Sequence, residues 1–330
     1  MNVVFGSGSW GTTLAILLAR QQTAVTLLTR SRGEAEALRL AGENRRFLPG
    51  VPFPSTLSVS DDLGTLGDAE ALIMAVPSET VPAAVESLGR HLSRSAIVVS
   101  AGKGLVGNSK RAAPRRLTEV LTAAMPNPVC ALSGPNLARE IARGMPSGTV
   151  VASADGDAAR SVQQLFTCQS FRVYTSGDVV GVELGGALKN VVALAAGAAD
   201  GMQLGDNAKA ALMTRGLAEM SRLGQALGAE PLTFAGLAGL GDLVATCASP
   251  FSRNRRLGEA LASGRGLAEA QREVGQLAEG VPTTRAAVEL ARQAGVEMPI
   301  VQQMYAVLFE GKDPRQAVLD LMQREPKTEF

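Results

Sequence analysis

Cysteine and histidine are both scarce in this chain of 330 residues, which has three cysteines and one histidine. Cys130, Cys168 and Cys247 are odd in number and form no C-x-x-C pair. This pattern excludes a disulfide framework and a cysteine zinc site, so we expect no metal. Free thiols fit a reducing environment, and we expect a cytoplasmic protein.

The chain also lacks an excess of charge of either sign, with 32 basic and 31 acidic side chains. We therefore expect no nucleic-acid partner and no membrane-surface partner, and any anionic ligand must be met by local charges. The longest apolar stretch, residues 179–199, is interrupted by Glu183, Lys189 and Asn190, which is not typical of a membrane span. No basic segment precedes the first apolar run, so we expect no signal peptide.

What is present begins at the N-terminus, where a short apolar run leads into a glycine-rich turn. The turn reads Gly6-Ser7-Gly8-Ser9-Trp10-Gly11. In a G-x-G-x-x-G turn, Gly6 allows the tight bend, Gly8 lets backbone approach a pyrophosphate, and Gly11 lets helix and strand pack closely. Because an apolar helix and a second strand follow, we predict a dinucleotide-binding turn. The alternative is a βα turn that binds nothing.

The first half alternates apolar runs of strand length with helical stretches, which predicts a parallel, doubly wound sheet. The predicted strands are Val3–Phe5, Val25–Leu28, Ala71–Ala75, Ile97–Ser100, Val129–Ser133, Gly148–Ala152 and Phe171–Tyr174. After residue 176 only helical segments follow. We predict an α/β protein with two domains: a Rossmann-like domain over 1–176 and an all-α domain over 177–330 that binds substrate and carries catalysis.

Three places in the first half could contact ligands. Arg30 follows the second strand, where a carboxylate would bind the ribose of NAD, and a guanidinium there would attract the 2′-phosphate of NADP. Lys103, flanked by glycines, follows another strand and could approach a nicotinamide or an anionic substrate. Ser133-Gly134-Pro135-Asn136 ends the next strand in the same way. The alternatives are a solvated Arg30 and a solvated turn lysine.

The second half holds the stronger candidates. Lys189 lies at the centre of an apolar helix, where burial would favour a neutral amine able to accept a proton. A lysine or carboxylate is needed for acid–base work, because the one histidine, His91, reads as a partly exposed helix end. The alternative is that Lys189 reaches solvent along its apolar stem.

Two further segments carry charge at predicted helix starts. Asp242 follows a glycine-rich turn, where it could be catalytic or a plain N-cap. Ser252, Arg253, Asn254, Arg255 and Arg256 place three guanidiniums and a capping serine at one helix start, an arrangement suited to a phosphate dianion. The alternative is a basic helical face exposed to solvent.

These motifs together resemble the bacterial-type NAD(P)-dependent glycerol-3-phosphate dehydrogenases, from Gly6 to about Arg315. The matching segments, in the family's order, are 6–12, 103–105, 132–135, 184–191, 239–243 and 252–256. The resemblance implies reduction of dihydroxyacetone phosphate to sn-glycerol 3-phosphate with NADPH or NADH, supplying glycerol 3-phosphate for phospholipid synthesis. It does not settle the oligomeric state, for which we expect a homodimer.

The resemblance also implies roles for single residues. Lys189 matches the proton acceptor, and Lys103 matches a second lysine near both substrate and nicotinamide. The implied substrate-binding residues are Lys103, Gly134, Asn136, Lys189, Asp242, Ser252, Arg253 and Asn254. The implied cofactor-binding residues are Gly6, Gly8, Ser9, Trp10, Gly11, Arg30, Lys103, Ala138, Arg253, Leu277 and Glu279.

One residue departs from the family pattern, because Asn136 stands where the family has serine or threonine. Its amide can still donate a hydrogen bond, so we expect activity with an altered substrate affinity. Two other functions stay open from the residues alone: a dehydrogenase for a hydroxy acid or a phosphorylated sugar acid, and an NADP-binding regulator without catalysis. The arginine cluster and Asp242 weigh against the first, and Lys189 weighs against the second.

Overall fold

The computed structural model describes residues 1–107, 113–326 and 328–329 of the chain. The strands in this part are β1 (Asn2–Phe5), β2 (Val25–Leu28), β3 (Leu57–Ser60), β4 (Ala71–Met74), β5 (Ile97–Ser100), β6 (Leu105–Val106), β7 (Arg115–Arg116), β8 (Val129–Ser133), β9 (Ser147–Ala152) and β10 (Phe171–Ser176). The first six α-helices are α1 (Ser9–Arg20), α2 (Arg32–Ala41), α3 (Val81–Leu88), α4 (Leu117–Ala124), α5 (Ala138–Ala142) and α6 (Gly156–Phe166).

The remaining α-helices all follow β10. They are α7 (Val179–Gly201), α8 (Gly205–Ala226), α9 (Pro231–Ala235), α10 (Asp242–Ala248), α11 (Arg253–Ala262), α12 (Leu267–Val274), α13 (Gly280–Ala294), α14 (Pro299–Phe309) and α15 (Pro314–Met322). A π-helical turn, Leu237–Gly241, runs directly into α10. The described residues after β10 form no strand.

Eight strands form one sheet in the order β10-β9-β8-β5-β4-β1-β2-β3. The central strands β1, β2 and β4 are buried along their whole length, since helices cover both faces. This burial explains their continuous apolar sequences. Because β1, β4 and β5 run parallel, their carboxyl ends meet at one edge of the sheet. In open α/β sheets, ligands bind at that edge.

The sheet is predominantly parallel, and two of its features differ from the sequence prediction. β3 was missed because it has only two inward apolar side chains, Leu57 and Val59, on a strand that alternates between buried and more exposed positions. β9 pairs antiparallel with β8, whereas β10 is parallel to β9. The connection between β8 and β9, residues 134–146, has only the five-residue helix α5, so no long crossover helix returns the chain to the start of a parallel strand.

The helical half is built around α7, which packs against α8, α10, α11 and α13. This helix is long and apolar enough to cross a membrane by length and composition. Most of it is buried inside the protein, as is typical of a core helix. Its charged residues Glu183, Lys189 and Asp200 are compatible with this position, because each of them has polar partners.

Glu219 on α8 has a buried carboxyl group that connects α8 to the start of α14. It accepts hydrogen bonds from the backbone N–H of Ile300, at 2.9 Å, and of Val301, and it thereby satisfies the first turn of α14. Burial nevertheless dominates and raises the pKa of Glu219 from 4.5 to about 7.

We expect Glu219→Gln to flatten part of the pH dependence of stability. The folded state binds a proton more tightly than the unfolded state, so the wild type loses stability as pH rises from about 4.5 through 7. The free energy of unfolding falls by at most about 3 kcal/mol because of this carboxyl group. Glutamine does not titrate, so the variant lacks this pH-dependent loss. Thermal midpoints of both proteins at pH 5 and pH 8 measure this effect. Parallel pH curves for the two proteins would contradict the assignment.

Candidate active site

The glycine-rich turn has the geometry that a dinucleotide requires. Gly6 has a φ of 115°, and a Cβ there would lie 2.5 Å from the carbonyl oxygen of Ala75. A Cβ at Gly11 would lie 1.9 Å from the carbonyl oxygen of Gly6. By contrast, nothing lies within 4 Å of a Cβ built at Gly8. The outer glycines are therefore needed for the tight bend, and Gly8 leaves its backbone open to a ligand.

The start of α1 also suits a phosphate. Gly8 at the N-cap offers no side-chain acceptor, and the first turn has no acidic residue. Its backbone N–H groups are therefore left for a ligand, at the positive end of the helix. An open backbone at Gly8 and an uncapped helix start both fit the pyrophosphate of NAD or NADP.

The neighbouring residues predicted to bind cofactor make hydrogen bonds within the protein. The hydroxyl of Ser9 donates to the Phe47 carbonyl, and Trp10 Nε1 donates to the Ala101 carbonyl at 3.1 Å. The carbonyl of Ala138, at the start of α5, accepts a hydrogen bond from the hydroxyl of Thr13 on α1. Of these residues, Ser9 and Trp10 leave the backbone N–H groups of the first turn of α1 for a dinucleotide.

Arg30 lies just beyond β2, at the same edge of the sheet. It is exposed and makes no ion pair within the described part of the chain. Its neighbour Arg32 is engaged with Glu36 at 2.7 Å, and Ser31 caps α2. Arg30 is thus the cation at this position that is free to meet a phosphate.

The centre of the site is one buried carboxylate shared by two lysines. Lys189 Nζ donates to Asp242 Oδ1 at 2.5 Å, and Lys103 Nζ donates to Asp242 Oδ2 at 2.8 Å. Asp242 and Lys189 are 1% and 6% exposed. The structure thereby brings together three residues that are far apart in sequence, and the alternatives of a solvated Lys103 and a Lys189 that reaches solvent are wrong.

The two ammonium groups are in different surroundings. Lys189 Nζ also donates to the hydroxyl of Thr246, one turn along α10 from Asp242, at 2.6 Å. Lys103 Nζ also donates to the carbonyl of Gly134 at 2.6 Å. Burial, opposed by Asp242 and reinforced by Lys189, lowers the pKa of Lys103 from 10.5 to about 8. Lys103 can therefore lose its proton close to physiological pH.

Asp242 reaches the lysines because of the turn that precedes it. The π-helical turn lies against α7 at Gly185, where a Cβ would be 2.5 Å from the Ala238 carbonyl oxygen. Asp242 is then the first residue of α10 and Gly241 is the N-cap, so the plain N-cap interpretation of Asp242 is wrong. π-Helical turns are rare and often occur at functional sites. The adjacent Gly186 faces the hydroxyl of Ser133.

Two buried polar atoms near Lys103 have no hydrogen-bond partner among the described residues. They are the hydroxyl of Ser133 and Nδ2 of Asn136. The Asn136 oxygen accepts from Lys103 Nζ at 3.4 Å and from the Thr149 hydroxyl at 3.2 Å. Buried donors are normally satisfied, so these atoms are suited to a polar ligand beside Lys103.

A chain of amides holds the site together, and one of its members was not assigned from sequence. Asn190 donates to the carbonyl of Lys103 at 2.9 Å and accepts from Asn254 Nδ2 at 2.8 Å. Asn254 in turn accepts from the N–H of Gly280. Asn190 lies in the predicted motif next to Lys189, and only the tertiary contacts reveal its role.

The side chains predicted to bind a phosphate at the start of α11 have different partners in the structure. Ser252 caps α11 by accepting from the N–H of Arg255. Arg253 is exposed, and the carboxylate of Glu279 interacts favourably with its guanidinium. Arg255 instead pairs with Asp200 at 2.6 Å and with Glu259. Of the three guanidiniums expected to bind a phosphate, Arg255 is therefore held elsewhere.

Glu279 joins the helical half to the sheet edge. One carboxylate oxygen accepts from the N–H of Ser78 at 3.1 Å, and the other accepts from its hydroxyl. Burial raises the pKa of Glu279, while the Ser78 hydrogen bonds and Arg253 oppose that rise. Leu277 is exposed nearby in sequence. Ser78 lies four residues beyond the end of β4, at the carboxyl end of the sheet where its position in the sequence predicted a ligand site.

Glu183 makes a second connection between the halves. On α7, it accepts from the N–H of Thr118 at 2.9 Å and from the Thr118 hydroxyl, and it pairs with Arg116 at 3.2 Å. Burial raises the pKa of Glu183. This contact fixes α7, and therefore Lys189, against the start of α4.

An open dinucleotide turn and a buried lysine–aspartate–lysine group place the chain among the nucleotide-dependent oxidoreductases with a Rossmann domain and a helical domain. Sequence comparison narrows this class. Residues 2–159 match the N-terminal part, and residues 178–319 the C-terminal part, of the NAD-dependent glycerol-3-phosphate dehydrogenase family. The chain belongs to this family.

Individual relatives are similar to this chain over nearly its full length. Glycerol-3-phosphate dehydrogenase [NAD(P)+] of Desulfitobacterium hafniense is 49% identical, over 99% of this chain and 92% of the relative. The protein of the same name from Syntrophotalea carbinolica is 48% identical, over 100% of both chains. The crystal structure of glycerol-3-phosphate dehydrogenase from Coxiella burnetii superposes with a TM-score of 0.93 at 39% identity and covers 98% of both chains.

Proposed function

We propose that this chain interconverts dihydroxyacetone phosphate and sn-glycerol 3-phosphate with NADPH or NADH, and so supplies glycerol 3-phosphate for phospholipid synthesis. The observation that carries this proposal is the buried Asp242 between Lys189 and Lys103, at the edge of a sheet with an open dinucleotide turn. Family membership agrees with it. A regulator without catalysis has no need for two lysines on one buried carboxylate.

The two halves of the chain have different functions in this proposal. Residues 1–176 bind the dinucleotide, through Gly6, Gly8, Gly11 and the start of α1. Residues 177–330 bind substrate and supply the proton. Support comes from the position of Lys189 and Asp242 on helices of the second half, whereas the glycine-rich turn and Lys103 belong to the first. The site therefore forms only where the halves meet.

A nicotinamide cofactor held by the glycine-rich turn and the start of α1 would supply hydride-transfer chemistry at the substrate carbon. A residue of the chain must then donate a proton to the substrate oxygen in reduction, or remove it in oxidation. Lys189 donates a proton to the developing alkoxide in reduction and takes it back in oxidation. Asp242 and Thr246 hold its Nζ in place. Lys103 adds positive charge where the oxyanion develops.

The substrate phosphate is held away from the reacting carbon. Arg253 and the start of α11, with Ser252 and Asn254, provide a guanidinium and a helix N-terminus for it. Asn136 Nδ2 and the backbone at Gly134 line the side of the cleft next to Lys103. Contacts remote from the reacting atoms fix the orientation of the substrate and lower the barrier through binding.

Cofactor contacts, location and assembly complete the proposal. Ser9, Trp10, Ala138, Leu277 and Glu279 contact the dinucleotide around the glycine-rich turn and the Ser78 edge. The three cysteines are free thiols, which supports a cytoplasmic location. Large apolar side chains exposed on the helical half support a homodimer. They include Leu232, Leu240 and Val244.

We expect Lys189→Ala to lower kcat by at least about 100-fold, because the alkoxide loses its proton donor. Binding of NADPH is expected to stay within about twofold, since Lys189 lies outside the glycine-rich turn. Steady-state NADPH oxidation with dihydroxyacetone phosphate and NADPH titration measure the two effects. Lys312→Ala, which removes a lysine paired with Asp320 elsewhere in the helical half, is the matched control. Near-wild-type turnover of Lys189→Ala would refute the role.

We expect the KM for dihydroxyacetone phosphate to rise as pH increases through about 8. The reason is that Lys103, whose pKa is lowered to about 8, is cationic below this pH and neutral above it. Lys103→Arg keeps its charge, so its KM is expected to change little between pH 7 and 9, whatever its absolute value. A wild-type KM that stays constant over this range would contradict the assignment.

We expect Arg30→Ala to weaken NADPH binding about tenfold and to leave NADH binding within about twofold, because only NADPH has a 2′-phosphate for the guanidinium. The ratio of the KM values for the two cofactors measures this preference. Arg32→Ala is the control, since Arg32 is already paired with Glu36. An unchanged ratio in Arg30→Ala would show that Arg30 does not bind the 2′-phosphate of NADPH.

A further inference from the structure

A cavity of about 820 Å³ lies in the helical half, between α7, α8, α14 and α15. Most of its wall is apolar and includes Ala195, Leu212, Ile300, Met304 and Leu321. Its volume is within the range of small-molecule sites. None of Lys103, Lys189 and Asp242 lines it. The cavity is therefore separate from the site described above.

One polar atom in the wall is suited to contact a ligand. The side-chain oxygen of Gln303, on α14, is buried and has no hydrogen-bond partner among the described residues. A buried amide oxygen without a donor is costly, and native proteins usually satisfy it. A ligand with a hydroxyl group would supply the missing donor.

The face of α8 that lines the cavity is basic. Arg215 and Arg222 are seven residues apart, so they lie on the same face of the helix. Arg222 makes a long hydrogen bond to the Glu297 carbonyl and interacts favourably with the Glu219 carboxylate. Arg215 makes no ion pair within the described part of the chain.

The other charged groups of the wall are mostly occupied. Glu219, between the two arginines, is bound by the N–H groups of α14, and Arg324 is paired with Glu297. Glu329 of the C-terminal tail is the remaining carboxylate in the wall. Arg215 and Arg222 are therefore the cations available to an anionic group.

We propose that this cavity binds an amphiphile with three features: one acyl chain, an anionic phosphate and a free hydroxyl. The chain lies among the apolar side chains, the phosphate meets Arg215 and Arg222, and the hydroxyl donates to Gln303. A glycerol phosphate that carries a single fatty acid has all three features. This choice of ligand rests on the proposed function, because acylation of the glycerol 3-phosphate that the enzyme makes gives such an ester.

The cavity also borders the helix that carries the proton donor. Ala195, Ala198 and Ala199 of α7 line it. At 1.5 Å per residue, Ala195 lies about 9 Å along the helix axis from Lys189. An occupied cavity therefore supports α7 on the side away from the substrate and stabilises the folded protein by mass action.

The test uses 1-decanoyl-glycerol 3-phosphate, below its micelle concentration, with the full chain in isothermal titration calorimetry and thermal unfolding. We expect one ester per chain and a rise in the thermal midpoint. Decanoate, 1-decanoylglycerol and glycerol 3-phosphate, which each lack a feature, are expected to bind at least tenfold more weakly at this site. Equal binding of decanoate would overturn the assignment of the ester.

Substitutions in the wall locate the bound ester. We expect Arg215→Ala combined with Arg222→Ala, and separately Leu212→Trp, to weaken ester binding at least tenfold. Arg90→Ala, at an exposed arginine of the first half, is expected to leave binding unchanged. Equal binding by all variants, or displacement of the ester by glycerol 3-phosphate, would overturn the proposal.

Two further measurements keep the outcomes distinct. Sedimentation of wild type and Leu212→Trp tests a second copy as the occupant: loss of a dimer in the variant, without ester binding to the wild type, would overturn the proposal. Turnover of dihydroxyacetone phosphate is measured without ester, so failure of the proposed activity is seen separately from failure of this site.

Discussion

The shared carboxylate of Asp242 is the interaction on which the rest of the structure depends. Two lysine ammonium groups that were buried together without an anion would repel each other and lose their hydration. Asp242 makes the arrangement possible, because each of its oxygens accepts from one lysine. The three residues come from the sheet edge, from α7 and from α10. The polar group at the centre therefore requires the two halves to meet in one relative position.

Several other contacts enforce the same position. Glu183 holds α7 against the start of α4, Asn190 holds it against the backbone of Lys103, and Glu279 holds the start of α13 against Ser78. In each contact the helical half supplies a side chain that binds backbone of the first half. Such contacts have little freedom to slide, because both partners are directional and largely buried. Polar contacts thus shape the cleft between the halves, and each half has an apolar core. A smaller apolar cluster of Ala131, Ala152, Val182 and Ala238 joins the two halves.

Much of the fold was accessible from sequence. Continuous apolar runs such as Val25–Leu28 indicated buried strands, and the glycine spacing at 6–11 indicated the turn that the structure shows. The direction of β9 was not accessible, because an apolar sequence of strand length has the same pattern in a parallel and in an antiparallel strand. In the site, residue types pointed to Lys103, Lys189 and Asp242. Thr246 and Glu183 had no signal beyond an ordinary helix sequence.

The sequence by itself determined the two kinds of architecture, the dinucleotide turn and the presence of a lysine in an apolar helix, because these depend on local spacing and composition. Only the tertiary structure decided which charges meet. In the folded chain Asp242 pairs with both lysines, Arg255 pairs with Asp200, and Arg30 makes no ion pair among the described residues. The physical reason is that the partner of a buried charge is chosen by distance in space, and residues such as Lys103 and Asp242, 139 positions apart, share no local pattern.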